Sequence, residues 1–177
     1  VKPSEHTSLS LLRWFELIHQ HVKLPPGLLN LVLGDGVTGD LIVRHPRVHK
    51  VSFTGSTRVG REIVKATGLT GLKSLSLELG GKSPNIFFGD TPNLSGAIDR
   101  SFQQAFSQKG EKCSEPTRFI VHESIHDEVV AKLVAQANAV VCGDSFDPKA
   151  TQGAQNNRAH FTKILDYIRL GNEEGAE

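Results

Sequence analysis

Leu77-Glu78-Leu79-Gly80-Gly81-Lys82-Ser83-Pro84-Asn85 is the stretch from which the rest of the chain can be ordered. Leu75, Leu77 and Leu79 alternate with polar residues, which predicts a strand over Lys73–Leu79. Gly80-Gly81 breaks it, and Asn85–Phe88 reads as the next strand. Upstream, His49–Thr54 is a strand alternating Val51 and Phe53. Ser56 or Thr57 then opens a helix carrying Val59, Ile63 and Val64, closed by Gly68. Before that, a helix over Thr38–His45 ends ahead of Pro46, and Leu28–Leu33 reads as a short buried parallel strand. Pro25-Pro26-Gly27 separates that run from a first helix, capped by Thr7 and running to about Val22, with Leu11, Leu12, Phe15 and Ile18 as its stripe.

Downstream the rhythm repeats. Thr91-Pro92 predicts an N-cap and first turn, and Leu94, Ala97, Ile98, Phe102, Ala105 and Phe106 continue a helix to Gln108. Thr117–Val121 is a strand. Ser124-Ile125-His126-Asp127 reads as a variant capping box before a helix with Val129, Val130, Leu133, Val134 and Ala137 inside. Asp144–Gln155 is loop, and Asn157–Leu170 a last amphipathic helix closed by Gly171. Strands separated by helices make an α/β fold of βαβ layered, mainly parallel sheets. The boundary is expected at Gly80-Gly81, with Glu78 and Cys113 on either side of a cleft between two α/β units.

Composition narrows the function classes. The 177 residues suffice for a domain of ordinary size, and 38% apolar with 22% charged content suits a globular chain. A formal charge of +1 with scattered basic residues argues against nucleic acid or a membrane surface as partner. Two cysteines, Cys113 and Cys142, make no disulfide framework, so a reducing compartment is expected: the cytoplasm, or an organelle matrix. Cys142 ends an apolar helical stretch and reads as packing. The histidines read as solvated surface rather than a metal site. His45 and His49 are spaced for one helix face, but Pro46 breaks that helix.

Two glycine turns compete as phosphate sites. Gly34-Asp35-Gly36-Val37-Thr38-Gly39 fits a dinucleotide fingerprint by spacing, yet the next strand ends at Phe53-Thr54 without the acid that would hold a ribose. A plain turn is the expected role. Gly55 to Gly60 is the better pyrophosphate site. Glycine lets backbone approach the ligand, and Ser56 and Thr57 offer hydroxyls at a helix N-terminus.

Glu78 before Gly80-Gly81, and Cys113 in Gly110-Glu111-Lys112-Cys113-Ser114-Glu115-Pro116-Thr117-Arg118, supply a carboxylate and a soft nucleophile where loops leave a scaffold. Singly, each fits a solvated turn residue and a small hydrophobe. Together with Phe53-Thr54-Gly55-Ser56-Thr57-Arg58-Val59-Gly60, these words in this order resemble the aldehyde dehydrogenase family along the whole chain. The resemblance implies residues 1–79 as a partial NAD(P)-binding domain, the second half of a Rossmann-like cofactor domain, and 80–177 as the start of an α/β catalytic domain. Because the chain opens at Val1 without Met and stops at Glu177 in what reads as a surface segment, an internal fragment of a longer protein is expected.

The family's chemistry implies roles for particular residues. Cys113 would add as thiolate to an aldehyde and, after oxidation to a thioester, release a carboxylic acid. Glu78 would activate the hydrolytic water if burial readies it. Gly55, Ser56, Thr57, Val59, Gly60 and Leu79 would contact NAD(P), and Lys2 and Glu5 the adenosine ribose. Glu5 favours NAD over NADP, since a carboxylate repels a 2′-phosphate. The substrate would be a small-molecule aldehyde and the parent protein a homo-oligomer. The chain lacks the family's Pro-Trp-Asn word, whose Asn completes the oxyanion hole, and its Glu-Glu-Ile-Phe-Gly-Pro word. Glu115 should oppose thiolate formation at Cys113 unless it points away, with Lys112 as an offset. The alternatives are a non-catalytic family member serving as a binding module, and a cofactor-free thiol esterase, for which the Gly55–Gly60 turn has no use.

Overall fold

The computed structural model describes residues 1–176; Glu177, read above as a surface position, lies outside them. The chain forms two compact units, Val1–Leu79 and Gly80–Glu177.

The first unit contains α1 (Ser8–His21), α2 (Gly36–Arg44), β1 (Lys50–Thr54), α3 (Thr57–Thr70) and β2 (Ser74–Glu78). β1 and β2 pair in parallel, from Lys50 opposite Ser74 to Thr54 opposite Glu78. A parallel pair needs a crossover, and α3 supplies it. The period of two turns Val51, Phe53, Leu75 and Leu77 toward one side, where they meet buried Val43, Ile63 and Ala66. Burying a side chain such as Ile63 is worth about 1.5–3 kcal/mol.

Several expectations for this unit need correction. Leu28–Leu33 is not a strand: Leu28, Val32 and Leu33 are exposed, and the segment's bonds outside its own turn are Val1 N to Asn30 O and Val32 N to Val1 O. An apolar run becomes a strand only beside a neighbour that continues the ladder. Thr7 sits at the N-cap of α1 but its side chain makes no capping bond. α2 begins at Gly36, because the Asp35 carboxylate caps it. α3 runs through Gly68 to Thr70 and stops at Gly71, whose φ of 108° suits glycine. Its buried face is Gly60, Ile63, Ala66 and Thr67, and Val64 is exposed.

The second unit contains β3 (Ser83–Phe87), α4 (Leu94–Phe106), β4 (Pro116–Val121), α5 (His126–Asn138) and α6 (Arg158–Glu173). β3 and β4 are again parallel, with a register shift that sets Ser83 opposite Pro116 and Pro84 opposite Arg118. Two prolines, neither with an N–H to donate, start this pair, and the irregularity falls beside them. Phe87, Ile98 and Val129 form the core, ringed by Leu94, Ala97, Phe119, Val121, Ile125 and Leu133.

Here too the ends of elements move. β3 starts two residues earlier than read. α4 is capped by Asn93, in left-handed conformation at φ 49°, and Thr91 instead donates its hydroxyl to Phe88 O. The capping box before α5 does not form. His122 Nδ1 accepts from Ser124 N at 3.2 Å, closing a 3₁₀ turn over Glu123–Ile125. Val130 and Val134 are exposed, α6 buries no residue, and it passes Gly171 without stopping. Cys142 is exposed and joins an isolated parallel bridge with Gln152, so it is not packing.

Candidate active site

In the first unit the strand ends and the start of α3 meet. Glu78 is the last residue of β2, its carbonyl accepting from Gly55 N at 3.0 Å and its carboxylate exposed. The burial that base chemistry at Glu78 would need is not supplied by the described residues. A Cβ on Gly55 would lie 2.5 Å from the Phe53 ring. One on Gly60 would lie 2.8 Å from Leu79 Cδ2, so the missing side chain lets Leu79 sit against α3. Gly55, Ser56, Thr57, Val59, Gly60, Glu78 and Leu79 are thus gathered at the C-terminal edge of the sheet, where ligands bind in open α/β sheets.

The two glycine turns differ in what they leave free. At α2 the Asp35 carboxylate accepts from Val37 N at 2.9 Å and Thr38 N at 3.3 Å, occupying donors an anion would use. At α3 the Ser56 hydroxyl accepts only from Val59 N at 3.3 Å. The N–H groups of Thr57 and Arg58 then have no acceptor among the described residues. A side chain at Gly34 would collide with Thr38, whose side chain lies against it. Lys2 reaches this first turn, with Nζ donating to Gly34 O at 2.8 Å and Pro3 O at 2.7 Å. Glu5 is exposed, 4.0 Å from His6.

In the second unit Cys113 is exposed in the loop between α4 and β4. A 3₁₀ turn over Ser107–Gly110 opens that loop, with Gln108, Lys109 and Gly110 all at positive φ, 49°, 65° and 73°. Arg118 Nη2 donates to Lys82 O at 2.6 Å, tying β4 to the turn before β3. Gln152 Nε2 donates to Phe106 O at 2.9 Å.

Glu115 does not stand beside the thiol as a solvated charge: it is 4% exposed and turned into the unit. Its Oε1 lies 3.3 Å from the Ser107 hydroxyl, whose one proton it shares with Gln104 O at 3.4 Å, and 3.8 Å from Lys112 Nζ, which donates to Ser107 Oγ at 2.7 Å. Oε2 is buried without a partner among the described residues. Sequence reading missed this role for Ser107; its signal was a small hydroxyl at the C-cap of α4, facing a carboxylate fixed before Pro116. His160, expected on the solvated surface, is half-buried with Nε2 3.4 Å from Glu111. Among the described residues no group of three or more His, Cys, Asp or Glu side chains gathers to hold a metal ion.

The family model described as "Aldehyde dehydrogenase family" matches residues 1–177. The chain is 47% identical over 177 residues to aldehyde dehydrogenase family 2 member C4 of Arabidopsis thaliana, covering 99% of this chain and 35% of that protein. It is 42% identical to human retinal dehydrogenase 2, covering 100% of this chain and 34% of that protein. An aldehyde dehydrogenase from Bacillus cereus, solved as its NAD+ complex, superposes with a TM-score of 0.93 at 38% identity, over 98% of this chain and 35% of that one. The chain spans about a third of the length of these relatives. A family match along its whole length, on a fold of parallel α/β units, establishes that this chain belongs to the aldehyde dehydrogenase family.

Proposed function

We propose that this chain is the part of an NAD(P)-dependent aldehyde dehydrogenase that carries the nucleophile, Cys113, the general base, Glu78, and one wall of the cofactor site. The observation that carries the reading is Cys113 itself: an exposed thiol on a structured loop leaving an α/β scaffold. Residues 1–79 then belong to the cofactor domain and 80–177 to the catalytic domain.

The first unit fits a dinucleotide. Gly55 and Gly60 let Phe53 and Leu79 pack against the turn, and Thr57 and Arg58 have open N–H groups at the start of α3, the arrangement that receives a pyrophosphate. Ser56, Val59 and Leu79 line the same edge. Lys2, once free of the Pro3 and Gly34 carbonyls it meets here, and Glu5 would hold the ribose, and Glu5 would favour NAD over NADP. The cofactor, when bound, supplies the acceptor for the hydride that leaves the aldehyde carbon.

The residues act in sequence. Cys113 thiolate forms a C–S bond to the carbonyl carbon, and its backbone N–H faces the developing oxyanion. After oxidation the acyl group is a thioester on Cys113. Glu78, once the whole protein gives it the burial that residues 1–176 leave it without, takes a proton from water, whose oxygen attacks the acyl carbon as the C–S bond breaks and the thiolate leaves with the electron pair. The product is a carboxylic acid. The whole protein would work as a homo-oligomer on a small aldehyde, in the cytoplasm or an organelle matrix.

The test uses the whole protein. Cys113→Ala should abolish aldehyde oxidation. Glu78→Gln should keep a first-turnover burst of NADH while steady-state turnover falls by roughly 10²–10⁴-fold, the usual worth of base catalysis. Intact mass after quenching should show acyl groups on Cys113. Acyl groups on Cys142, or wild-type turnover in Glu78→Gln, would overturn the assignment.

A further inference from the structure

We infer that Glu115 is a positioning residue for Cys113, acting through the loop rather than on any reacting atom; this rests on the nucleophile reading above. Among residues 108–115 Glu115 alone is buried, while Cys113 faces solvent. The loop between them and α4 is strained, since Gln108 and Lys109 hold left-handed backbone that side-chain-bearing residues seldom adopt. Such backbone persists only where its surroundings over-determine it.

Glu115 supplies that constraint from the far end. It precedes Pro116, which confines it to extended backbone, and Pro116 is the first residue of β4. From that fixed point its Oε1 reaches back to the Ser107 hydroxyl at the C-cap of α4, eight positions away. The ends of the cysteine loop are thereby joined across Cys113. Lys112, beside the cysteine, donates to Ser107 and faces the same carboxylate. Glu115 N lies 3.5 Å from Lys112 O, closing a turn around Cys113 and Ser114. Outside this clamp, Glu111 lies 3.6 Å from Lys109 and 3.4 Å from His160 of α6, both at partly exposed positions.

The unpartnered oxygen argues against a merely space-filling role. Burying a carboxylate with Oε2 unsatisfied is costly, and an apolar residue of similar size would fill the volume at lower cost. What an apolar residue cannot do is accept from Ser107 and hold Lys112. The carboxylate therefore fixes one loop conformation, and with it the place of the thiol.

The experiment is hydrogen exchange of residues 107–115 together with steady-state kinetics in the full chain, for Glu115→Ala, Glu115→Gln and Ser107→Ala. Glu115→Ala should speed exchange in the loop and lower kcat by roughly 10- to 100-fold at unchanged KM, the scale expected for a misplaced nucleophile. Glu115→Gln keeps an acceptor for Ser107 and should restore most of both. Ser107→Ala should move both in the direction of Glu115→Ala, and it decides the matter if Glu115→Ala does not fold. Unchanged loop exchange in Ser107→Ala would overturn the inference, as would equal losses in Glu115→Gln and Glu115→Ala. Loop exchange is read without turnover, so the clamp is judged even if Cys113→Ala shows that another residue is the nucleophile.

Discussion

Asp35 and Ser56 occupy the same position, the residue before a helix, and treat its amides differently. Asp35 accepts from both Val37 and Thr38 on one carboxylate oxygen, Oδ1, while Ser56 caps Val59 alone. Replacing either by Ala should cost about 0.5–2 kcal/mol, read by urea denaturation. Asp35→Ala should leave NAD affinity of the whole protein unchanged by calorimetry, and an affinity lost there would return the first turn to candidacy. Burial sets a different scale. Ile98 is fully buried between Phe87 and Val129, so Ile98→Ala should cost about 2–5 kcal/mol, whereas Val134→Ala on an exposed face should stay within about 0.5 kcal/mol. Equal midpoints for the two would refute the core described for the second unit. At this scale the place of Cys113 in the loop between α4 and β4 was legible, because a helical stripe ends before it and a strand begins after it. Glu115 was not, because the direction of a loop side chain depends on what the chain folds around it.

Between elements, α4 and α5 are joined by charge as well as by packing. Lys132 Nζ lies 2.8 Å from Asp99 Oδ1, and Gln136 donates to the same oxygen. The Lys132 bond, with Gln136 and Arg100 adding to it, holds the Asp99 carboxyl below its ordinary range against a smaller desolvation effect. A depressed carboxyl contributes stability that is present above its unfolded value and is lost as pH falls through the folded one. The melting temperature of Asp99→Asn should therefore lie below wild type at neutral pH, and the gap should close below roughly pH 4. A gap that persists in acid would mean that the loss is one of shape rather than charge. Strands and helices with strong periodicity were legible, since β1, β2, β4, α1 and α5 fall within a residue or two of the reading. Leu28–Leu33 and Gly68 were not. Whether an apolar run pairs depends on a neighbouring strand, and whether a glycine ends a helix depends on its φ, and neither is written in the local sequence.

The accessible surface of the chain is 13233 Å². Two independent compact domains of these lengths would expose about 10,000 Å² between them. Large apolar side chains are part of it: Phe161, Leu165 and Ile168 on α6, Val130 and Val134 on α5, and Ile86 and Ile120 on the strands of the second unit are all exposed. Residues 1–177 alone should therefore self-associate, with an apparent mass by light scattering that rises with concentration. A monomer that stays dispersed at high micromolar concentration would contradict this.

The parallel pairing also sets a clock. In each unit the first strand cannot find its partner until a crossover has been spanned: Lys50 meets Ser74 after 24 positions, and Ser83 meets Pro116 after 33. Loop closure grows only with the logarithm of length, so these two searches differ by about 0.3 kcal/mol, less than a twofold difference in rate. Among the described residues each sheet is a single parallel pair, β1 with β2 and β3 with β4. The order in which the two halves acquire structure is thus left to α3 and α4, the helices that must form and dock before their strands can zip.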